Sequence, residues 1–554
     1  MSRGFLSRLL YASFIISLVM VASCGQSEPG STELSERKPP NILLVVADDL
    51  GFSDLGIYGG EISTPNLDAL AGQGLRLTNF RTAATCSPTR VMLLSGADNH
   101  PVGMATMPGH LSSNQAGKPG YEMYLHERAH SIASLLKQGG YHTYIVGKWH
   151  VGGKPDQRPN HRGFERSFVL LEGGASHFDD QFGPTSKFPK AHYVEDGKLV
   201  DQLPRDFFST DSYTDKIIDY IERDRKDQKP FFAVVSYTAP HWPLQAPPEY
   251  MEKYRGRYDE GYQTIRRQRL DKMRELKLLE EAQEAFHGGI ADWQQLDAEK
   301  QRTEARKMEI YAAMVEHMDH AIGRLFGYLK REGEYNNTLI VFMSDNGPEG
   351  GNPLNLHNNK EWVPATFDNR FENMGRRGSY VSYGANWGQV SATPFRGFKS
   401  YAYEGGIACP LIVSHPKIVK RTGISRSFVS VKDLAPTFLE LAGLTEMLSD
   451  KTLADKVPMT GKSILPLLQN VQERVHPEDY AMGWEILGRY GVRKGSWKIV
   501  REDASWQLFN LTTDPAEQRD LSASQPQKLA ELTAAWETYV KDNGVVLPNE
   551  DVAY

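Results

Sequence analysis

The stretch NILLVVA, residues 41–47, is followed directly by the pair Asp48 and Asp49. The run does not alternate apolar with polar residues, which indicates a strand that is covered on both faces. Helical patterns such as NLDALAGQG and DSYTDKIIDYIERD separate it from further apolar runs. Those further runs are residues 141–147, 230–238, 338–344 and 410–415. Strands and helices that alternate in this way predict a doubly wound α/β sheet.

The first 40 residues carry the features of an export signal. Arg3 and Arg8 precede an apolar run that is too short to span a bilayer easily. The run ends in VASC, so residues 1–23 are predicted to be a signal peptide of the lipoprotein type, with lipid attached to Cys24. Residues 24–40 are polar and aperiodic, which predicts a flexible tether. A plain signal peptide is the alternative; the preferred prediction is an exported periplasmic or cell-envelope lipoprotein of a bacterium.

The length and charge of the remaining chain bound its organisation. About 515 residues are too many for one small core and suit a large domain plus a smaller one. We predict the large domain over residues 41–470 and a smaller α+β domain over residues 471–554, with antiparallel strands followed by a helix. The formal net charge is −6, which gives no indication of a nucleic-acid partner.

Cysteine is rare in this chain. Only Cys86 and Cys409 would remain once Cys24 carries a lipid. Two cysteines so far apart in an exported chain do not form a disulfide scaffold. A bond between the two stays open at this point, although it would abolish any chemical role of the Cys86 thiol.

Ionisable side chains follow four of the predicted strands. In open α/β sheets ligands bind beyond the carboxyl ends of the strands, so these positions are candidates for a site. Each residue taken alone has an ordinary explanation as a turn, a helix cap or a solvated charge. Chance is a poor explanation for such residues at the ends of four successive predicted strands. The residues are Asp48, Asp49, Lys148, His150, His241, Asp345 and Asn346, with Lys399 shortly before the fifth run.

The residue types in this set indicate two kinds of binding. The Asp and Asn side chains offer only oxygen ligands, which suit a hard cation such as Ca²⁺ or Mg²⁺. Crowded carboxylates also repel one another unless a divalent ion neutralises them. The Lys and His residues, together with Arg90, are hydrogen-bond donors that suit an anion with several oxygens, namely sulfate or phosphate.

The sequence CSPTR at residues 86–90 resembles the C-x-P-x-R signature of type I sulfatases. The resemblance extends over most of the chain, through GYHTYIVGKWHVG, APHWPLQAP, MSDNGPEG and LFNLTTDPAEQRDLS. Several of these segments are most similar to bacterial arylsulfatases of the Pseudomonas type. The resemblance implies an alkaline-phosphatase-like fold, in which a mixed, mostly parallel sheet is flanked by helices.

The resemblance also implies a mechanism for sulfate ester hydrolysis. Cys86 would be oxidised to formylglycine by a modifying enzyme, and one hydroxyl of its hydrate would attack sulfur to give a covalent sulfate hemiacetal. His241 or Lys399 would protonate the leaving oxygen. His150 would then take a proton from the second hydroxyl so that sulfate is expelled, while Arg90 and Lys148 hold the aldehyde. One Ca²⁺, or with less support Mg²⁺ or Mn²⁺, would be held by Asp48, Asp49, Asp345, Asn346 and residue 86.

Two other functions and several substrates stay open from the sequence. The first rival is a phosphoester or phosphonate monoester hydrolase of the same superfamily, and the second is a lipoprotein that binds sulfated glycans without turnover. As a sulfatase, the protein would act on aryl sulfates, alkyl sulfates or carbohydrate sulfates. Four aromatic residues would either line the leaving-group side or pack in a loop: Tyr380, Tyr383, Trp387 and Tyr403.

Overall fold

The computed structural model describes residues 39–356, 358–449, 455–502, 504–550 and 552. The predicted signal peptide, residues 1–23, the lipidation site Cys24 and the tether up to residue 38 lie outside these described residues. From residue 39 onward the described residues form one compact unit.

The strands build one large sheet, one four-stranded sheet and two small pairs. They are β1 (Asn41–Ala47), β2 (Leu75–Leu77), β3 (Phe80–Arg81), β4 (His142–Lys148), β5 (Arg166–Leu170), β6 (Phe182–Thr185), β7 (Phe188–Lys190), β8 (Tyr193–Glu195), β9 (Lys198–Val200), β10 (Phe231–Ser236), β11 (Thr338–Ser344), β12 (Leu411–Ser414), β13 (Gly423–Ser425), β14 (Val429–Ser430), β15 (Ala481–Ile486), β16 (Arg489–Lys494), β17 (Trp497–Arg501) and β18 (Gln507–Asn510). The large sheet has ten strands in the order β13-β2-β12-β11-β1-β10-β4-β5-β8-β9.

The α-helices lie between and after these strands. They are α1 (Pro65–Gln73), α2 (Cys86–Ser95), α3 (Ile132–Gln138), α4 (Ser209–Asp224), α5 (Pro248–Lys253), α6 (Gly261–Glu275), α7 (Ala298–Arg331), α8 (Asn359–Thr366), α9 (Gly384–Ser391), α10 (Glu404–Ile407), α11 (Leu434–Leu441), α12 (Leu465–Leu468) and α13 (Pro526–Asn543). No helix within the described ranges is both long enough and apolar enough to cross a membrane.

Strand β1 lies at the centre of the large sheet and explains its layered packing. It pairs in parallel with β10 on one side and with β11 on the other. Alternate residues point to opposite faces, and both faces are covered. Leu43 and Val45 join a core that contains α7, whereas Ile42 and Leu44 join a second core that contains α2, α3 and α11. An uninterrupted apolar run is therefore the pattern that this position requires.

The predicted mixed, mostly parallel sheet is confirmed. Strand β12 runs antiparallel to both of its neighbours, β11 and β2, and this direction matters for the site. In the pairing with β11, Leu411 lies opposite Met343 and Ser414 lies opposite Ile340. The start of β12 therefore lies beside the end of β11. A residue that precedes β12 in sequence thus reaches the same edge as residues that follow the parallel strands.

The C-terminal part forms a separate antiparallel sheet, β15-β16-β17-β18, as the sequence predicted for its α+β architecture. Helix α13 packs on this sheet, where the Trp536 ring stacks on Tyr490 with 4.7 Å between ring centroids. Leu532 of the same helix is fully buried in this small core.

Candidate active site

The carboxyl ends of β1, β4, β10 and β11 meet at one edge of the sheet. All the residues predicted there from separate runs come together, and each is nearly inaccessible to solvent. They are Asp48, Asp49, Lys148, His241, Asp345, Asn346 and Lys399, with Cys86 and Arg90 on α2. His150, two residues beyond β4, adjoins them with intermediate burial. The carboxyl ends of four parallel strands therefore deliver side chains to one place, and α2 and the segment around Lys399 add theirs to the same edge.

Cys86 is the first residue of α2 and presents its thiol at the helix N-terminus. Pro88 falls in the first turn, where a missing N–H costs nothing, and Gly96 ends the helix with a φ of 67°. Arg90 lies four residues after Cys86 and therefore on the same face of the helix. The motif thus places a thiol and a guanidinium side by side.

Both described cysteines are free thiols, so the Cys86–Cys409 bond that the sequence left open is absent from the described structure. The Cys409 sulfur lies 3.4 Å from Thr82 Oγ1. The Cys86 sulfur lies 3.5 Å from His150 Nδ1. Burial raises the pKa of the Cys86 thiol, against the influence of Lys148 and Lys399. An unmodified thiol in this position is therefore a poor nucleophile.

The acidic residues converge on a small volume beside Cys86. Ligand atoms of Asp48, Cys86 and Asp345 all lie within 4.8 Å of one another, and so do those of Asp48, Asp49 and His241. Burial raises the pKa of Asp48 well above its usual range, with Lys148 opposing this and Asp345 adding to it. Burial likewise raises the pKa of Asp49 to about 6.

Two oxygens in this volume have no hydrogen-bond donor among the described residues. They are Asp48 Oδ1 and Asn346 Oδ1, and both are buried. A buried oxygen without a partner costs free energy, so such atoms indicate a missing ligand. Carboxylate and amide oxygens that converge in this way fit a hard divalent cation. The residues present therefore suit the metal that the sequence predicted.

Each carboxylate also faces a basic side chain. Lys148 Nζ donates to Asp48 Oδ2 at 2.6 Å, and Lys399 Nζ donates to Asp49 Oδ2 at 2.9 Å. Arg90 donates to Asp345 Oδ2 through Nε at 3.0 Å and through Nη2 at 2.7 Å. These ion pairs bring three cations to the surface that an oxyanion would contact.

The two histidines are held neutral by their surroundings. Burial and then Lys148 and Arg90 lower the pKa of His150 well below its usual range. Burial and then Lys399 lower the pKa of His241 in the same way. His241 Nδ1 lies 2.5 Å from the Trp242 carbonyl oxygen, which only accepts hydrogen bonds, so Nδ1 carries the proton. His241 Nε2 is left facing Asp49 Oδ2 at 3.5 Å.

Backbone strain accompanies this geometry. Asp49, His150 and Ser400 all have positive φ angles, of 63°, 54° and 70°. Non-glycine residues adopt this left-handed conformation only when the surrounding structure enforces it, and such residues cluster at functional sites.

A cavity of about 450 Å³ opens onto this group of residues. Cys86, His150, His241 and Lys399 line its inner end. The aromatic residues Tyr380, Tyr383, Trp387 and Tyr403 are absent from its described lining. All four are buried, and Trp387 packs edge-on against Tyr262 with 4.7 Å between centroids. Their burial favours the packing interpretation.

Sequence reasoning missed three polar side chains of the site. Ser87 Oγ lies 3.1 Å from His150 Nδ1, and Glu349 Oε2 lies 3.3 Å from Lys399 Nζ. Ser236 accepts a hydrogen bond from Arg90 Nη1. Ser236 is the last residue of β10, so its place at a strand end was a usable signal. Ser87 and Glu349 lie within recognised motifs but at positions that their residue types alone do not mark.

Comparison with known proteins identifies the family. The Sulfatase family model matches residues 40–444, and the model described as N-sulphoglucosamine sulphohydrolase, C-terminal, matches residues 397–541. An uncharacterized sulfatase of Schizosaccharomyces pombe is 41% identical over 93% of this chain and 96% of its own length.

A bacterial relative and a solved structure agree with this match. The arylsulfatase of Klebsiella aerogenes is 38% identical over 80% of this chain and 95% of its own length, where the motifs suggested a Pseudomonas type. The crystal structure of Ps i-CgsB in complex with k-i-k-neocarrahexaose has a TM-score of 0.67 and 25% identity, and covers 93% of this chain and 95% of that chain. The chain therefore belongs to the sulfatase family and is a sulfuric ester hydrolase.

Proposed function

We propose that the protein hydrolyses sulfate monoesters with a formylglycine made from Cys86 and with one Ca²⁺ beside it. The observation that carries this proposal is the position of Cys86. Its sulfur lies 3.5 Å from His150 Nδ1 at the inner end of a cavity, and within 4.8 Å of the ligand atoms of Asp48 and Asp345. The rival phosphoester and glycan-binding functions have no comparable support, because the chain is a sulfatase by family.

The metal would be held by the oxygens that converge beside residue 86. Asp48, Asp49, Asp345 and Asn346 supply them, with residue 86 as the fifth ligand. A Ca²⁺ held there would supply positive charge to the sulfate oxygens and to the attacking oxygen. The unpartnered oxygens of Asp48 and Asn346 support this assignment over a purely structural role. Their oxygen-only chemistry favours Ca²⁺, with Mg²⁺ and Mn²⁺ as the alternatives.

His150 is the base of the site in this proposal. Its lowered pKa keeps it neutral at physiological pH, so Nδ1 is able to accept a proton. Ser87 Oγ, 3.1 Å from the same nitrogen, orients the ring toward residue 86. The hydroxyls of a hydrated formylglycine at residue 86 would occupy the space around the present sulfur.

The proton for the leaving oxygen comes from Lys399 in this proposal. Its ammonium lies between Asp49, at 2.9 Å, and Glu349, at 3.3 Å, and lines the cavity. His241 is neutral in the resting site and turns Nε2 toward Asp49, so its first role is to accept. His241 would become a donor only after an anion enters beside it.

Lys148 and Arg90 complete the charge balance. Lys148 is held by Asp48, and Arg90 is held by Asp345 and by the Lys148 carbonyl at 2.9 Å. These contacts fix both cations before substrate arrives, which limits the reorganisation needed in the transition state. The pair would hold the oxygens of residue 86 and neutralise the bound sulfate.

Mass spectrometry of the peptide that spans residue 86 tests the proposal. Formylglycine reads about 18 Da below the thiol form, because –CHO replaces –CH₂SH. Cys409 in the same digest is the internal control, since it is a buried thiol away from the cavity lining and keeps its mass. Fully active protein that carries only Cys at residue 86 would contradict the mechanism.

Export and lipid attachment at Cys24 are part of the same proposal. The support is the sequence alone: a basic start, an apolar run and VASC at residues 21–24. Labelled palmitate and membrane fractionation of the intact protein and of Cys24→Ala test it. Label and membrane association that survive in Cys24→Ala would contradict the anchor.

A further inference from the structure

The outer walls of the Cys86 cavity differ in character from its inner end. Side chains from several separate segments form them, and most are apolar. Six of these apolar residues are Met107, Leu171, Phe188, Leu199, Trp242 and Leu356. An apolar wall gains binding free energy from an apolar group and gains little from sugar hydroxyls.

Two of the wall residues are exposed at the mouth of the cavity. Phe188 on β7 is 38% exposed and Leu199 on β9 is 53% exposed. Two large apolar side chains that are exposed to solvent and line the same cavity indicate a binding surface. The apolar surface therefore continues beyond the space that a single small ring next to residue 86 would fill.

The polar groups of the walls include His110, His192 and Thr185, but Arg158 is the only one that carries a permanent positive charge in the described lining apart from Lys399. Glu172 is an acid, and its Oε1 lies 2.6 Å from His192 Nδ1. Arg158 Nη1 donates to the Gly197 carbonyl at 2.7 Å. A polysulfated chain needs cations for each further sulfate, and Glu172 would repel such a group.

We infer that the natural substrate is a monosulfated ester of a bulky apolar alcohol or phenol, larger than one ring. The inference rests on the proposed function, because it takes the Cys86 end of the cavity as the sulfate site. The leaving group then lies against Trp242, Leu171 and Leu356 and reaches Phe188 and Leu199 at the mouth. A fused aromatic ring system and a long alkyl chain share this chemistry.

Turnover of matched ester series tests the inference. For linear alkyl sulfates from ethyl to octyl, we expect kcat/KM to rise about fourfold per added methylene until the wall is covered. For aromatic esters the same comparison is made between naphthyl sulfate and phenyl sulfate, and we expect the higher kcat/KM for naphthyl sulfate. A monosulfated sugar and a polysulfated oligosaccharide are the competing arms. Higher kcat/KM for either sugar than for octyl and naphthyl sulfates would overturn the inference.

Variants at the mouth locate the effect. Phe188→Ser and Leu199→Ser are expected to lower kcat/KM for octyl sulfate by about tenfold each, because both side chains lose apolar contact with the chain. The loss of kcat/KM for 4-nitrophenyl sulfate, whose single ring covers less of the wall, should be smaller than the loss for octyl sulfate. Val471→Ser, at 73% exposed and outside the described cavity lining, is the control for an exposed apolar side chain. Octyl sulfate turnover that is unchanged in both mouth variants contradicts the inference.

Two further measurements separate this inference from the proposed function. Calorimetry measures the affinity of ethyl and octyl sulfate for Cys86→Ala in the absence of turnover, and so tests the contribution of the apolar wall to binding. We expect octyl sulfate to bind at least tenfold more tightly than ethyl sulfate. Equal affinity overturns the inference even when the chemistry at residue 86 holds. A sugar preference that disappears in Arg158→Gln would assign the outer cavity to a second sulfate instead.

Discussion

The protein buries two groups of charged side chains, one at the candidate active site and one at the C-terminal sheet. The site cluster comprises Asp48, Asp49, Asp345, Lys148, Lys399 and Arg90. The C-terminal anchor, where β17 meets the segment after Lys399, comprises Arg81, Glu404, Lys498, Glu502 and Glu517. Both combine carboxylates with Lys and Arg at almost complete burial, so residue type and burial do not distinguish them.

The two groups differ in how their carboxylates are arranged. In the anchor, Lys498 Nζ lies 2.8 Å from both Glu404 Oε1 and Glu517 Oε1, and Arg81 Nε donates to Glu404 Oε2 at 2.7 Å. Although burial opposes it, these cations lower the pKa of Glu404, whereas burial raises the pKa of Glu517 to about 7. In the site cluster burial raises the pKa of Asp48 despite Lys148, and Asp345 and Asp49 add to the increase. In the site cluster, ligand atoms of Asp48, Asp345 and Cys86 lie within 4.8 Å of one another, whereas in the anchor Glu404 and Glu517 share the Lys498 ammonium. The site cluster thus offers converging ligand atoms to an added ion, although its carboxylates also face cations of the protein.

The anchor also reaches the site through the segment after Lys399. Arg489 Nη1 donates to the Ser400 carbonyl at 3.0 Å, and the Ala402 N–H donates to Glu502 Oε1 at 2.8 Å. The Ser400 N–H donates to the Ala84 carbonyl, two residues before Cys86, at 2.8 Å. The C-terminal sheet therefore holds the backbone that carries Lys399.

The largest expected effect is on activity when the site cluster loses a carboxylate. Asp345→Asn should lower kcat for 4-nitrophenyl sulfate by about 10³-fold or more, the scale of losing a group that stabilises developing charge. The fold should persist, because Asn retains the shape of the side chain. Circular dichroism and steady-state kinetics check this. Activity within tenfold of the parent would place Asp345 outside the reaction.

The second-largest expected effect is that of metal removal, which should act on the site cluster and not on the anchor. Dialysis against a chelator should abolish most activity and lower the melting temperature, since an ion that binds only the folded protein stabilises it. Added Ca²⁺ should restore both more fully than Mg²⁺. Elemental analysis and thermal scans check this, with Glu404→Gln as a variant whose metal content stays unchanged. Full activity after complete removal of metal would refute the calcium assignment.

Breaking the anchor should affect stability more than chemistry. Glu404→Gln leaves Arg81 and Lys498 with one fewer charge partner in the interior, at a cost of about 3–5 kcal/mol in the free energy of unfolding. Urea titration measures this cost, and kcat at a temperature where the variant is folded should stay within tenfold. A loss of kcat well beyond tenfold in a variant that remains folded would contradict a purely structural role of the anchor.

Loosening the contact between the two regions should give a smaller, selective effect. Arg489→Ala removes the donor to the Ser400 carbonyl and should lower kcat by about tenfold for esters of poor leaving groups, whose departure needs the Lys399 proton. Turnover of 4-nitrophenyl sulfate, with a good leaving group, should change little. Arg474→Ala, on an exposed surface, is the control. An equal loss on both kinds of ester would contradict a positioning role through Lys399.

The smallest effect concerns the pH dependence of stability. Burial raises the pKa of Glu502 to about 7, above its ordinary value of 4.5. A raised folded-state pKa contributes stability below pH 4.5 that is lost as pH rises through about 7. Glu502→Gln should therefore lose less stability between pH 5 and pH 8 than the parent does. Thermal scans at both pH values check this, and equal losses would contradict the shift.

The convergence of the candidate site residues was largely predictable because most of them follow strand runs that the sequence displays. Asp48, Asp49 and Asp345 follow continuous apolar segments, and parallel strands bring their carboxyl ends to one edge. The anchor was not predictable in the same way. Lys498 and Glu404 are 94 residues apart, and Arg81 and Glu404 are 323 apart, with no periodic pattern or motif that pairs them.

The sequence by itself determined the strands, the family motif around Cys86 and the types of ligand available. These follow from local rules, since apolar runs, helix signals and short motifs act over a few residues. Only the tertiary structure decided which oxygens stay without a donor, which way β12 runs, and what covers the cavity walls at Phe188 and Leu199. Those properties depend on contacts between segments far apart in the chain, and the physical environment of a side chain exists only once such segments have packed together.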